Sequence, residues 1–505
     1  MDSKDLALNL LSLIGVYFLC FIAWLTSENR RNIPWDTIKW GLGTQFVLGF
    51  LIFVVPIFGT MIEKLSTALN FLMDASEAGA RFVFSEVFVP KTSFPPGTHI
   101  SDTPPLNLID PNTQQLALER LTKSVPPKAG ETSRLIFDVR AVDFGYIFAF
   151  RALPQVIFFA GLIGLMYRLN LIQPVVKFLA KVFHRTMNVS GAESLSGSAN
   201  IFVGIESVVA IKPYLEKMTR SEIAAILASC FGSISSSVLA MYSGFLRPTF
   251  PSITGHLMAA SLLTIPACFV ISKIIVPEDG HPETMGGIPE EKEDPNAKKI
   301  SYMDSLILGA LDGLKMAAGI AAVLIAILGC VEVINMTFAT LASYGKVTIS
   351  PDDNSLEVFG KYILLGIGKV FEKVNLNNIF AFIFFPLTFF SGISFDLNEV
   401  WDASILIGQR LLQTSVPPYI MLGKLAKAGE ISDRTMLIVS YALCGFAHIP
   451  SMGIFVGGMT SLVPSRSSDI SSVAWKSLWA ATLATIMTGC VAGIFFFGNG
   501  EVLGK

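Results

Sequence analysis

Residues 223–246 read IAAILASCFGSISSSVLAMYSGFL, a run without Asp, Glu, Lys or Arg whose centre is Gly232-Ser233-Ile234-Ser235-Ser236-Ser237. A helix needs about 20 apolar residues to cross the hydrocarbon core of a bilayer, so the length fits a membrane span. The centre does not fit a continuous helix, because glycine costs backbone entropy and serine competes for backbone hydrogen bonds. Secondary transporters break helices in this way, exposing carbonyls and helix ends at the membrane midplane. The alternative is close helix packing through small residues. Residues 435–465 repeat the pattern: a charge-free run softened by Gly445-Phe446-Ala447-His448-Ile449-Pro450-Ser451, in which Pro450 removes a backbone donor.

The rest of the 505-residue chain agrees with a membrane setting. It is 52% hydrophobic and 15% charged, against about 25% charged in soluble domains. Charge-free stretches also cover 6–27, 41–62, 248–272, 374–395 and 477–500. The fold class expected is an all-α polytopic membrane protein with about eight transmembrane helices and two re-entrant hairpins in inverted repeats. A β-barrel would alternate polar and apolar positions over about ten residues, and these runs do not. A net charge of −2 gives no footprint for nucleic acid. The six cysteines sit in apolar segments without a C-x-x-C pair, which reads as buried small residues. No H-E-x-x-H or G-x-S-x-G occurs, so an enzyme is not expected.

Asn29-Arg30-Arg31 follow the first span, and positive charge favours the cytoplasm. Both termini are therefore expected outside, with the chain in the plasma membrane (the inner membrane of a bacterium). Six segments follow. Residues 1–90 hold N-terminal spans and an amphipathic helix near 61–88, read as scaffold. Residues 91–145 form an extracytoplasmic insert broken by Pro95-Pro96, Pro104-Pro105 and Pro126-Pro127. Residues 146–275 hold the third span and first hairpin repeat, with the hairpin at 188–217. Residues 276–334 form a cytoplasmic linker and a scaffold span, and 335–375 a second extracytoplasmic insert. Residues 376–505 hold the second repeat, with its broken segment at 400–426.

The two repeats share an order of parts. The first runs hairpin, Pro213-Tyr214, Thr219-Arg220-Ser221, then the softened span. The second runs broken segment, Pro418-Tyr419, Ser432-Asp433-Arg434, then its softened span. Ionisable groups inside these segments stand out, since a charge at the bilayer centre costs about 2.5–3.5 kcal/mol on insertion scales. Glu206 reads as an acceptor for a polar solute or as an ion-pair partner of Lys212. His448, Glu193 and Arg410 read equally well as satisfied structural groups. Asn200 and Ser233 offer hard oxygen donors for a small cation.

The run Gly191-Ala-Glu-Ser-Leu-Ser-Gly-Ser-Ala-Asn-Ile-Phe-Val-Gly204, with Ile211-Lys-Pro-Tyr-Leu-Glu216, resembles the concentrative nucleoside transporter family. So do Ser440-Tyr-Ala-Leu-Cys-Gly-Phe-Ala447, Leu462-Val-Pro464, Arg466-Ser-Ser-Asp469 and Lys273-Ile-Ile-Val-Pro-Glu278. The resemblance spans 146–334 and 376–497. It implies a homotrimer with scaffold and transport domains, an elevator motion, and uptake of a nucleoside or related small solute coupled to Na⁺. By the same resemblance Asn200, Ser233, Ile234 and Val238 would hold Na⁺. Gly204, Ile205, Glu206, Gln413, Thr414, Ser415, Phe446, His448 and Ser451 would line the solute site.

This chain departs from the family at both hairpin tips. The first tip is one residue shorter, Gly204-Ile205-Glu206 where the family has Gly-Gln-Thr-Glu. The second reads Thr414-Ser415-Val416-Pro417-Pro418-Tyr419, with Ser415 in place of a glutamate that contacts ribose hydroxyls in the family. His448 stands where the family has asparagine. Alternatives that follow are proton coupling through His448 or Glu206, a non-nucleoside solute, and a non-transporting sensor on the same fold.

Overall fold

The computed structural model describes residues 3–89, 148–202, 204–287, 301–348 and 355–498. The expected insert at 91–145 and the acidic part of the linker at 288–300 lie outside the described residues. No strand occurs among the described residues.

The chain opens with α1 (Ser3–Leu25), α2 (Trp35–Val54) and α3 (Pro56–Phe88). The amphipathic helix expected near 61–88 thus begins at Pro56, where proline sits at the first helical turn and loses no hydrogen bond. Next come α4 (Phe148–Arg168) and the surface helix α5 (Gln173–Met187). The first repeat comprises α6 (Gly191–Asn200), a 3-10 arm (Ile205–Lys217), α7 (Arg220–Gly232), α8 (Ser236–Leu246) and α9 (Ile253–Ile275). Then follow α10 (Tyr302–Ser343), α11 (Ser355–Lys373) and α12 (Leu376–Phe390). The second repeat is α13 (Leu397–Gln413), α14 (Val416–Ala428), α15 (Asp433–Ala442), α16 (Ile449–Leu462) and α17 (Ser467–Ile494).

Among the described residues six continuous helices are long and apolar enough to span a bilayer. The broken pairs α7/α8 and α15/α16 bring the spans among the described residues to eight, apart from the bent pair α11/α12, which is apolar enough to count as one more. The expected order of parts is therefore present twice: two hairpin arms, two half-spans, one whole span. Within the insert expected at 335–375 the described residues are largely helical: α10 runs on to Ser343, and α11 occupies 355–373 before a 50° bend into α12. Residues 338–348 and 355–375 lack proline, so no residue there lacks a backbone donor for a helix.

The core lies on α9 and α17, where 89% of the membrane-spanning window is buried. By contrast only 18% of the window on α10 is covered. At 42 residues α10 is about 63 Å long, twice the hydrocarbon thickness. It packs on α4 through small residues. A Cβ on Gly309 would stand 2.7 Å from the Ala160 carbonyl oxygen, and one on Gly164 2.8 Å from that of Ser305. Glycine at these positions lets the backbones approach, the usual device of helix pairs in lipid. Helices α1 and α2 instead pack along α9 and α17.

Polar groups tie one end of the bundle. Thr219 and Glu222 form a capping box at the start of α7, and Ser190 and Glu193 form another at the start of α6. Lys273, at the end of α9, reaches Glu193 Oε1 at 2.6 Å and Glu278 Oε2 at 3.1 Å. Glu28, between α1 and α2, binds Arg220 Nη2 at 2.8 Å and also pairs with Lys476. The Arg220 hydrogen bond holds the Glu28 carboxyl below its ordinary range, opposed by burial and aided by Lys476.

A carboxyl lowered on folding stabilises the fold at pH values above its unfolded pKa, and that stability is lost as pH falls through the folded pKa. The unfolded value is about 4.3. Glu28→Gln is thus expected to cost at most about 1 kcal/mol between pH 6 and 8, since the pair is partly exposed. The difference from the parent chain should close only below about pH 4. Thermal melts of detergent-solubilised protein across pH check this; a gap that closes between pH 7 and 6 would contradict it.

Candidate functional site

Two breaks meet at the centre of the molecule. Helix α7 stops at Gly232, residues 233–235 are extended, and α8 starts at Ser236. Helix α15 stops at Ala442, and α16 starts at Ile449 after an irregular stretch. The breaks touch: a Cβ on Gly445 would lie 2.5 Å from the Gly232 carbonyl oxygen and 3.0 Å from Thr485 Cγ2. Only glycine serves there, both for space and for its φ of +150°. Two helix C-terminal ends, each carrying partial negative charge, are thereby brought to one place.

Each hairpin sends a side chain to the end of its half-span. Asn200, the last residue of α6, is fully buried. Its Nδ2 donates to Ser229 Oγ at 3.1 Å and to Cys230 Sγ at 3.3 Å. Its Oδ1 accepts from Ser207 Oγ at 3.0 Å, linking α6 to the 3-10 arm. Ser233 Oγ donates to the Ser229 carbonyl at 3.0 Å, so Asn200 and Ser233 meet on the last turn of α7. Ile234 is buried in the extended stretch. Val238 lies in the first turn of α8, where its N–H donates to Ser235 O at 3.0 Å.

The chemistry of this cluster suits a small hard cation. Its donors are neutral oxygens of an amide, hydroxyls and helix-end carbonyls. Among the described residues no group of His, Cys, Asp or Glu is placed to hold a metal ion, so a transition-metal site has no ligand set there.

The second hairpin is built differently. Thr414 has φ +87° at the turn between α13 and α14, a backbone region costly for a β-branched residue, of order 1–3 kcal/mol. Ser415 is fully buried and donates to the carbonyls of Leu443 at 3.1 Å and Gly445 at 3.0 Å. Its hydroxyl satisfies the broken α15/α16 junction. Gln413 and Thr414 are 8% and 6% exposed, at the edge of the same cluster. Tyr419 donates to Ser440 O at 2.7 Å and stacks on Tyr242 of α8 with ring centroids 4.7 Å apart.

His448 caps α16. Its Nδ1 accepts from Ser451 N at 3.2 Å, which places the ring proton on Nε2. Ser451 Oγ donates to His448 O at 2.6 Å and also to Phe446 O. Phe446 packs on Phe455 at 5.8 Å, and Phe455 on Phe231 of α7 at 5.3 Å. Gly204 precedes the 3-10 arm, and the backbone of Ile205 and Glu206 opens it. The side chains of Ile205 and Glu206, and with them the contact expected of Glu206, lie outside the described residues.

The structure thus gathers Asn200, Ser233, Ile234 and Val238 at one break, and Gln413, Thr414, Ser415, Phe446, His448 and Ser451 at the other. It also shows groups that the sequence left ambiguous or unread. Glu193 is a cap and an ion-pair partner, for which Ser190-Gly191-Ala192-Glu193 was a visible signal. Lys273 is the pairing cation; the motif Lys273-Ile-Ile-Val-Pro-Glu278 holds its local partner Glu278, but nothing local points to Glu193. Arg410 is buried with one nitrogen, Nη1, donating to Ala442 O and to Thr485 Oγ1.

Three family models match the chain. The Na⁺-dependent nucleoside transporter N-terminus model covers residues 14–87, the nucleoside recognition gate model 149–249, and the Na⁺-dependent nucleoside transporter C-terminus model 256–493. An uncharacterized transporter of Haemophilus influenzae is 28% identical over 491 residues, covering 96% of this chain and 97% of the relative. The putative nucleoside permease NupX of Escherichia coli is 27% identical, covering 96% and 98%. Among solved structures, CNTnw in an inward-facing substrate-bound state aligns with a TM-score of 0.73 at 26% identity, covering 96% of this chain and 98% of that one. A double variant of the same protein in an outward-facing state aligns with a TM-score of 0.74, covering 97% and 99%. The break geometry and these matches have one reading: the chain is an integral membrane protein that belongs to the Na⁺-dependent nucleoside transporter family.

Proposed function

We propose that the chain imports nucleosides, or polar solutes built like them, by symport with Na⁺. The observation that carries this is the oxygen cluster of Asn200, Ser229 and Ser233 at the extended end of α7, beside the second break. A cation there would order α6 and the 3-10 arm together, since Asn200 bonds to both sides. Glu206, Gln413 and Ser451 are the groups we assign to the solute. Ser415 is occupied with carbonyls of its own chain, which favours a solute that asks less of the second tip than an unmodified ribose does.

An elevator motion of the two repeats against the α4/α10 pair fits the packing. Helices α1 and α2 would travel with the repeats they pack on, which narrows the scaffold expected at 1–90 to its α3 part. A homotrimer with α10 at its centre would cover the face of α10 that the single chain leaves open. Both termini would lie outside. One charge crossing about 100 mV contributes about 2.3 kcal/mol, a solute gradient of roughly 50-fold before the Na⁺ gradient is added.

Purified protein in liposomes tests this with a panel of labelled nucleosides under an inward Na⁺ gradient, against choline at fixed pH. Uptake at least about tenfold higher with Na⁺ is expected. Equal uptake in choline would remove Na⁺ as the coupling ion. Absence of uptake and of counterflow for every solute would instead support a non-transporting sensor.

A further inference from the structure

Two arginines are buried in the second repeat, and they are treated differently. Arg434 has all three guanidinium nitrogens hydrogen-bonded. Arg410 is fully buried and wholly enclosed, yet its Nε and Nη2 have no hydrogen-bond partner. Among the described residues no carboxylate pairs with it. The titratable groups that interact with it are Tyr419, Cys444 and Tyr242, all neutral at physiological pH, and His448, whose Nδ1 accepts from Ser451 N. A buried charge left without a counter-charge is costly, so what holds this one needs an account.

Its one bonded nitrogen supplies the account. Nη1 donates to the carbonyl of Ala442, the last residue of α15, and to Thr485 Oγ1 at 2.8 Å. A helix C-terminus carries partial negative charge and favours a cation. In the first repeat the corresponding arm, α6, sends the neutral amide of Asn200 to the last turn of α7. The α7 end therefore has no cation of its own, whereas the α15 end has a permanent one. The two ends touch at Gly232 and Gly445.

We propose that Arg410 is a tethered cation that fills, in the second repeat, the position that an exchangeable cation takes in the first. The chain then has one exchangeable cation site rather than two, and its transport core keeps a fixed positive charge at the crossing of the broken spans whether or not an ion is bound. Arg410 is a positioning residue: it braces the α15/α16 break as a bound ion would. This inference rests on the symport reading for the exchangeable cation of the first repeat, both its presence and its identity.

Na⁺ alone is the probe. The unfolding midpoint of the full chain in detergent is followed against Na⁺ concentration, with choline holding ionic strength. A ligand that binds only the folded state raises the midpoint with a slope set by the number of ions bound. The parent chain should show a one-ion slope, and Arg410→Lys should keep it. Arg410→Gln, which gives the second repeat a neutral amide like that of Asn200, should roughly double it. If Arg410→Gln unfolds on extraction, rescue by Na⁺ but not by choline supports the proposal, and rescue by neither overturns it. An unchanged slope in a folded Arg410→Gln also overturns it, as does a doubled slope in Arg410→Lys. A parent chain blind to Na⁺ with a gain in Arg410→Gln would break the coupling-ion reading and leave the tethered cation standing.

Discussion

Replacing Asn200 with alanine is expected to lower Na⁺-stimulated uptake by about 100-fold, near the upper end of what one coupling interaction supplies, about 1–3 kcal/mol or 5- to 150-fold. The geometry separates this effect from loss of the fold. Asn200 bonds to Ser229, Cys230 and Ser207. When it is cut back, Ser229 Oγ keeps its bond to Ile226 O at 2.8 Å, and Ser207 Oγ keeps Ser196 Oγ at 3.3 Å. Few groups are orphaned, so the loss of stability should stay near 1 kcal/mol per removed hydrogen bond. What disappears is the amide oxygen and the link between α6, the 3-10 arm and α7. Asn200→Asp keeps an oxygen at the same reach and should retain a response to Na⁺. Uptake measured against Na⁺ concentration decides the matter: full Na⁺ stimulation in Asn200→Ala would take the cation away from this cluster.

The largest effect on stability is expected at Arg434. Its Nε donates to Gly392 O at 2.6 Å, its Nη1 to Asn9 Oδ1 at 2.6 Å, and its Nη2 to Ser12 Oγ and Gly493 O, both at 3.1 Å. One guanidinium therefore joins α1, the turn after α12, α15 and the end of α17. Gly392 holds φ +71° at that turn, and a Cβ there would stand 2.2 Å from Ser12 Oγ. Arg434→Met fills the space but leaves four buried acceptors facing an apolar stem. Loss of about 3–5 kcal/mol is expected, since each buried acceptor left without a donor costs about 1–3 kcal/mol and the site relaxes in part. Arg434→Lys should recover only part, because a point charge on a linear stem cannot serve a planar fork of acceptors. Thermal unfolding in detergent reads this directly; a parent-like midpoint in Arg434→Met would show that the four contacts contribute little.

The two arginines show how far local sequence carries. Arg410 was visible as a charge in a broken apolar segment and Arg434 as part of a turn before a span, and nothing near either one in the chain separated a clamp from a lone cation. That difference lies in whether distant acceptors arrive at each nitrogen. Ser415 is a second case. Its place at a hairpin tip was legible from Thr414-Ser415-Val416-Pro417-Pro418, and its role as a solute ligand was the natural expectation. Only the folded chain places the Leu443 and Gly445 carbonyls within reach of its hydroxyl. His448 likewise reads as a titratable group in isolation, whereas in the fold its Nδ1 is committed to capping α16. Residues 335–375 were legible only as an insert between spans; that α10 runs on to Ser343 and that α11 occupies 355–373 came from the folded chain.

Sequence alone determined the membrane setting, the spans, the soft centres at 232–237 and 445–451, and the doubling of parts, because each depends on short-range quantities. Charge-free length, helix propensity and glycine or proline position act over a few turns of chain. The meeting of the two breaks, the pairing of Lys273 with Glu193, and the bond from Arg434 to Asn9 were decided by tertiary structure. The last joins residues 425 positions apart. No local propensity encodes such a pair; it exists because packing buries polar groups that then must find partners, and only the complete fold says which partners are at hand.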